Sequence, residues 1–360
     1  MRQYILLNPG PVNVSPRVQQ ALLRGDLCHR EEEFSDLLIA IRTKLLRAFA
    51  PSGYTAVPLS GSGTLAVEAM VSSALPEGRK LLVINNGVYG ERMLRMAEAH
   101  RMPAIELRYN WTERPDLKQI EDALKADPSI AAVALVHHET TTGLLNVVRE
   151  VGTITHQAGR LLLLDAVSAL GGEELDFVRD GVDLCACTAN KCMQGLPGVA
   201  FVLVRHEVMV AMQGYPRRSL YLHLPVHWEA HERRSIPFTP SVQVWYALDE
   251  ALDELLEEGV SNRVQRYRSA ATLLRDGFTR LGLKFLLPAE HRANSLTSMF
   301  LPEGMTYQRL HDGLKERGFV IYEGQGKLQT GIFRVANMGH LTQDDFRQFL
   351  QALEEGLGKR

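Results

Sequence analysis

Cysteine is scarce in this chain: four among 360 residues, Cys28, Cys185, Cys187 and Cys192. They are too few and too unevenly spread for a disulfide framework, and no paired Cys-x-x-Cys elements offer a structural zinc site. Cys185 and Cys187 share one face of an apolar run, where inert packing is the expected role. Long hydrophobic runs are missing too. No stretch of 18 apolar residues occurs, so no membrane-spanning helix is expected. The apolar run before Pro9 is too short for a signal peptide, and a reducing, cytoplasmic setting is expected. Charge of one sign is not in excess either. Lys and Arg total 40 against 42 Asp and Glu, a net charge of −2, which argues against a broad nucleic-acid footprint. There is no internal repeat and no low-complexity segment. At 45% hydrophobic residues the chain can bury a large core, and its length suits about two domains.

What the chain does contain is alternation. Strand-like runs at 80–85, 104–107, 131–136, 161–165, 183–188 and 199–204 are interleaved with helix-like segments near 91–100, 117–126, 148–158 and 206–212. That pattern predicts an α/β fold with a mostly parallel sheet covered on both faces. Earlier in the chain, Asn8-Pro9-Gly10-Pro11 reads as a rigid turn, and Pro16 opens a short helix. Leu37, Leu38, Ile41, Leu45 and Leu46 then mark an amphipathic helix. Beyond Pro237-Phe238-Thr239-Pro240 the pattern changes. Val244, Ala247, Leu248, Ala251, Leu252, Leu255 and Leu256 recur at helical spacing, and a second helix is expected over 264–281. Strands near 284–287, 297–301, 319–321 and 331–336, with helices at 306–316 and 343–357, predict a smaller C-terminal α+β domain. The expected division is an N-terminal segment 1–15, a large domain 16–240, a linking helix 241–262 and the small domain 263–360.

Two of the apolar runs end in ionisable residues. Leu161-Leu162-Leu163-Leu164 leads into Asp165, and Leu184-Cys185-Ala186-Cys187 leads into Thr188-Ala189-Asn190-Lys191 and a Gly/Pro-rich turn. In an open parallel sheet the C-terminal strand edge is where ligands sit. Pyridoxal phosphate needs a lysine amine to hold its aldehyde and a carboxylate to keep its pyridine nitrogen protonated. Lys191 and Asp165 suit those two tasks. Either residue alone would read as a solvated loop lysine or a capping aspartate; together, at two strand ends, they point to the cofactor.

Other segments reach the same edge. Ser60-Gly61-Ser62-Gly63-Thr64 feeds a helix N-terminus, a place for an anion, and matches neither the Walker A nor the dinucleotide pattern. Beside the Asp–Lys pair, the cofactor phosphate is its expected tenant. His137-His138-Glu139-Thr140 follows the 131–136 run. Adjacent side chains of an extended segment diverge, so a polar cofactor-edge loop is expected rather than a metal site. There Thr140 would bond the cofactor's hydroxyl and Glu139 would orient the loop. Tyr89, between Gly87 and Gly90, can stack on a flat ring or pack on its helix. Arg334, flanked by Phe333 and Val335, needs an anion: a substrate carboxylate or an internal carboxylate. His29 and Arg30 offer either a second anion contact near the Pro9–Pro11 turn or local pairing with Glu31, Glu32 and Glu33.

Together these residues resemble the class V aminotransferases of the fold-type I pyridoxal-phosphate superfamily. The resemblance spans almost the whole chain. It is densest in Leu7-Asn8-Pro9-Gly10-Pro11, Cys28-His29-Arg30-Glu31, Ser60 to Thr64, His138 to Gly143, Asp165 to Gly172, Asn190-Lys191-Cys192-Met193-Gln194-Gly195 and around Phe333. It implies that Lys191 is the cofactor lysine and proton shuttle, and Asp165 the pyridinium partner. Ser62, Gly63, Thr64, Tyr89, Thr140, Val167 and Asn190 would complete the cofactor site, and Thr239 would reach the neighbouring subunit's cofactor phosphate in a homodimer. Gly10, His29, Arg30 and Arg334 would face substrate. The implied reaction is transfer of the amino group of 2-aminoethylphosphonate to pyruvate, giving phosphonoacetaldehyde and alanine. The alternatives are an alanine–glyoxylate or serine–pyruvate type of transamination, or a non-catalytic protein that keeps the fold. A cysteine desulfurase would need a cysteine in the second half, and none follows Cys192. Val335-Ala336-Asn337 departs from the family's Ile-Gly-Asn, which adds a methyl group beside the carboxylate site.

Overall fold

The apolar runs become strands because each must bury both faces. In Leu161–Asp165, Leu162 and Leu164 point into one apolar layer and Leu163 into the other, as alternating side chains of a strand require. A computed structural model describes residues 4–50 and 52–358; residues 1–3 of the expected N-terminal segment and 359–360 of the expected small domain lie outside the described residues. Seven strands form the central sheet: β1 (Tyr54–Gly61), β2 (Lys80–Asn85), β3 (Ala104–Arg108), β4 (Ile130–Val136), β5 (Leu161–Asp165), β6 (Leu184–Thr188) and β7 (Gly198–Arg205). Their spatial order is β1-β7-β6-β5-β4-β2-β3. All neighbours from β6 to β3 pair in parallel, while β7 runs antiparallel to both β6 and β1. The C-terminal ends of β1, β2, β4, β5 and β6 therefore share one edge. Register sets Asp165 level with Val136 and Ala186.

Helices sheathe the sheet. Phe34, Leu38 and Trp245 join Leu135, Leu164 and Phe201 on one side; Met70 and Met93 join Ala134, Leu163 and Val202 on the other. These side chains are fully buried, so truncating one, as in Leu164→Ala, is expected to cost about 2–5 kcal/mol. The long helix Val242–Glu258 meets the helix Val260–Arg280 at Gly259, whose φ of 84° breaks the run. A second core, with Leu274, Phe278, Phe333 and Phe349, lies between the helix Val260–Arg280, the helix Gln343–Gly356 and a three-stranded antiparallel sheet of Leu296–Phe300, Ile332–Ala336 and Tyr322–Glu323. The N-terminal strand Ile5–Leu6 pairs in parallel with Phe319–Val320, and Leu7 O accepts from Ala336 N at 2.8 Å.

One local expectation changes, and two elements without a sequence expectation appear. Residues 284–287 form no strand; Phe285 makes a single bridge to Met299. The run before the glycine-rich turn is a full eight-residue strand, β1, despite Pro58. It lies at the sheet's edge, where a missing N–H costs least. The segment Leu224–Glu232, to which the sequence pattern assigns no element, is helical, with Pro225 in its first turn.

Candidate active site

Lys191 begins the turn after β6, just past Asn190. Its side chain is half-buried, and its amine donates to the Pro9 carbonyl. Gly10 presses on the same side chain. A Cβ there would lie 2.7 Å from Lys191 Cδ and 2.9 Å from Nζ, and its φ of 106° favours glycine in any case. The N-terminal segment thus lies against the lysine, and Gly10 adjoins Lys191 itself. Burial lowers the ammonium to about 8, and the Arg334 and Arg92 charges push the same way.

Asp165 ends β5, buried, and accepts one hydrogen bond, from Val167 N at 3.0 Å. No ion pair reaches it among the described residues. Burial raises its carboxyl to about 6, although Arg92 and Lys191 attract it from a distance. The Val167 side chain packs on Gly63, where a Cβ would come within 3.0 Å of Val167 Cγ1 and 3.2 Å of Thr188 Cβ. Ser62 caps the helix Gly63–Ser73 by accepting from Leu65 N at 3.4 Å, so the 62–64 turn presents free amides beside Val167 and Thr188. Ser62 and Thr64 are exposed and Gly63 is buried. Asn190 Oδ1 is engaged by Thr188 Oγ1 at 2.8 Å.

Tyr89 stands in the first turn of the helix Val88–Ala99, after β2. Its amide donates to Glu139 Oε2 at 3.1 Å, and Glu139 Oε1 accepts from Thr141 N at 3.1 Å and Thr141 Oγ1 at 2.6 Å. Glu139 thereby ties the loop after β4 to the loop after β2, which is the orienting task anticipated for it. A Cβ on Gly87 would overlap the Glu139 carboxyl group, so glycine is required there by close approach. Burial raises the Glu139 carboxyl above its usual range. Thr140 is buried, and its carbonyl accepts from Arg334 NH1 at 2.7 Å.

Arg334 settles one open question. It is 4% exposed, and its guanidinium bonds two carbonyls, Thr140 O and Glu323 O (2.8 Å from Nε). No carboxylate lies in ion-pair range among the described residues, so the internal salt bridge is absent. Burial lowers its pKa. His138 Nδ1 donates to Ser168 O at 3.2 Å, and its buried Nε2 has no partner. Burial holds His137 at about 4 and His138 at about 3, both neutral. Among the described residues no three His, Cys, Asp or Glu side chains converge as a metal site.

Three expected members lie apart. Arg30 is exposed and donates to Ile236 O at 3.3 Å, and neither it nor His29 has a described bond to the 8–11 turn. Thr239 is exposed on the surface beside Phe238, whose ring stacks on Tyr221 at 4.7 Å. One residue escaped sequence reasoning. Arg92 shares a helix face with Tyr89, three residues before it, and donates to Thr64 Oγ1 at 3.0 Å.

The site therefore gathers a half-buried lysine, a buried aspartate, an anion-ready turn and an arginine with no acidic partner at one sheet edge. The class-V aminotransferase family model matches residues 19–339.

The chain belongs to the class-V aminotransferases.

This class-V aminotransferase is 39% identical to the 2-aminoethylphosphonate–pyruvate transaminase of Syntrophobacter fumaroxidans, over 98% of this chain and 96% of the relative. It is 38% identical to the enzyme of that name from Vibrio cholerae, with 98% of both chains covered. Among solved structures it resembles the alanine–glyoxylate aminotransferase of Nostoc sp. (TM-score 0.93, 28% identity, 99% and 96% coverage). The pyridoxamine–pyruvate aminotransferase of Mesorhizobium loti is similarly close (TM-score 0.92, 29% identity, 99% and 93% coverage). The fold is that of the fold-type I pyridoxal-phosphate aminotransferases, and no described helix is long and apolar enough to cross a membrane.

Proposed function

We propose that this aminotransferase uses pyridoxal 5′-phosphate to move the amino group of 2-aminoethylphosphonate to pyruvate. The observation that carries the reading is the guanidinium of Arg334, buried without a carboxylate and felt by the Lys191 amine. Such a group asks for an anionic substrate head beside the reacting nitrogen. The full-length likeness to two enzymes named for this substrate pair supports the choice of donor.

The residues fit the cofactor. Asp165 is a buried carboxylate with one backbone donor and no cation in contact, as a pyridinium nitrogen would require. Gly63 lets the 62–64 turn close tightly against Val167 and Thr188, where any side chain would crowd them. Bound there, pyridoxal phosphate supplies the aldehyde that takes up the amino group and the ring that accepts the electrons of the broken C–H bond. Lys191 Nζ, with its pKa lowered toward neutrality, spends part of the cycle uncharged and carries the proton removed from the amine-bearing carbon. Asp165 holds positive charge at the ring nitrogen, an electrostatic contribution present before the reaction begins. Ser62, Gly63 and Thr64 receive the phosphate, with Asn190 nearby; Tyr89 covers the ring, and Thr140 meets its hydroxyl. Arg334 grips the phosphonate in one half-reaction and the pyruvate carboxylate in the other, with Gly10 leaving room beside Lys191. His29 and Arg30 would add an anion contact only after a rearrangement of the 28–30 turn. The exposed Thr239 completes a neighbouring subunit's phosphate site in a homodimer, and a cytoplasmic location suits both substrates.

The test is a donor screen with pyruvate as acceptor, following alanine. 2-Aminoethylphosphonate is expected to outperform serine as donor, and borohydride is expected to fix the cofactor on Lys191. An inert aminophosphonate, with serine or alanine turning over against glyoxylate, would establish the alanine–glyoxylate type instead. In that case Ala336, buried with Val12, Cys192 and Leu296, is the residue to revert to glycine.

A further inference from the structure

Arg92 has no part in the account so far, yet its surroundings are unusual for a helix-surface arginine. It lies in the helix Val88–Ala99, half-buried, and its neighbour Glu91 pairs with Arg95 at 3.5 Å instead. No carboxylate comes within ion-pair range of Arg92 among the described residues. One donor, NH1, is given to the neutral hydroxyl of Thr64 at 3.0 Å, and the guanidinium carbon lies 4.8 Å from the centre of the Tyr89 ring. A guanidinium carries five donors in a fixed fork, so most of them remain unassigned. The Tyr89 contact holds the group electrostatically without neutralising it.

Its place distinguishes it from Arg334. Arg334 arrives from the strand Ile332–Ala336 and is anchored on Thr140 O and Glu323 O. Arg92 arrives from the helix Val88–Ala99 and is anchored on Thr64, in the first turn of the helix Gly63–Ser73, whose Gly63 packs on Val167 and Thr188. The two cations are thus fixed to different parts of the site. The Arg92 head sits between the Tyr89 ring and the 62–64 turn, where a flat ring would pass into its phosphate. Resting on the cofactor reading above, we propose that Arg92 is a direct ligand of the cofactor's phosphate. It neutralises charge that the amides of the 62–64 turn and a neighbouring subunit's Thr239 can only hydrogen-bond. Thr64 is then a positioning residue, its hydroxyl aiming the guanidinium fork. Tyr89 gains a second task as the shelf on which that fork rests.

The test uses the full-length apoprotein and two probes, pyridoxal 5′-phosphate and pyridoxal, which lacks the phosphate. Equilibrium binding is measured for the wild type, Arg92→Gln and Arg92→Lys. Arg92→Gln is expected to weaken pyridoxal phosphate by about 10- to 150-fold, the range for a hydrogen bond to a charged group. Pyridoxal should change by no more than about twofold if the phosphate is the partner, since it offers no such charge. Arg92→Lys keeps the charge but loses the fork, so its loss should be smaller; it also carries the comparison if Arg92→Gln folds poorly, as judged by apoprotein melting. Unchanged pyridoxal phosphate affinity would overturn the proposal. Equal losses for both probes would overturn it too, reducing Arg92 to a support for Tyr89. Intact cofactor affinity with a raised KM for the aminophosphonate alone would reassign Arg92 to the substrate. A wild-type apoprotein that binds neither probe would instead overturn the cofactor reading itself.

Discussion

Arg263 and Arg334 are almost equally hidden, at 2% and 4% exposure, but their guanidinium groups meet opposite surroundings. Arg263, in the helix Val260–Arg280, pairs with Glu258 and donates to Cys192 O at 3.2 Å. Arg266 shares the same carboxylate at 2.7 Å. That region solves the desolvation of a cation internally. Arg334 has two carbonyls and the face of the Tyr322 ring, at 6.0 Å, but no carboxylate in ion-pair range among the described residues. A buried charge without an ionic partner costs several kcal/mol, a cost that an anionic substrate would offset. The contrast separates an arginine that holds the fold together from one that waits for an anion.

The comparison can be broken at several points. Lys191→Ala removes the nitrogen around which the waiting charges are arranged. Transamination is expected to fall by roughly 10⁴-fold or more, with an unchanged melting temperature; residual turnover above that level would separate Lys191 from the chemistry. Glu258→Ala turns Arg263 into a second unanswered cation. It should cost about 3–5 kcal/mol in urea unfolding, while kcat of the folded fraction stays near normal. Arg334→Gln is the mirror experiment. It should lower kcat/KM for both substrates by about 30- to 1,000-fold, or 2–4 kcal/mol, and leave stability equal or higher. A protein that instead unfolds would make Arg334 structural after all.

Glu173 sharpens the contrast from the acid side. It is buried, takes hydrogen bonds from the backbone and side chain of Asn294, and burial pushes its carboxyl up to about 8. This region answers a buried carboxyl by keeping its proton. Because the folded value is raised, its stabilising contribution is full below the ordinary value near 4.5 and is lost as pH rises through about 8. Glu173→Gln should remove that slope, on the order of 1–3 kcal/mol, when melting is compared between pH 5 and pH 8.5. An identical slope in the variant would place the proton elsewhere.

The sheet and the edge proposed for the chemistry were legible because apolar runs of strand length led into Asp165 and, three residues past Thr188, Lys191. Burial on both faces and a functional terminus leave their marks within a few residues of one another. Arg92 was not read because its signal is helical: it shares a face with Tyr89 but lies inside a charged, amphipathic stretch that looks like solvated surface. β1 was obscured by Pro58, whose cost depends on an edge position that only the strand order reveals. The helix Leu224–Glu232 buries His227 and His231, residues that carry little periodic apolar signal. The choice between ligand and ion pair for Arg334 depended on carbonyls from Thr140 and Glu323, set there by tertiary packing. Local sequence announces strand ends; it is silent on who meets whom across the chain.

The pairing of Ile5–Leu6 with Phe319–Val320 bears on how this enzyme is made. The segment that touches Lys191 through Pro9 and Gly10 is made before the large sheet, yet its own strand partner emerges about 300 residues later. Joining ends so far apart carries a loop-closure cost that grows only slowly with length but is met late. The large sheet can assemble during synthesis with Lys191 still uncovered. The cover arrives when the last strands dock, so termination after the helix Val242–Glu258 but before Phe319 should yield a folded sheet with an open, solvent-washed amine.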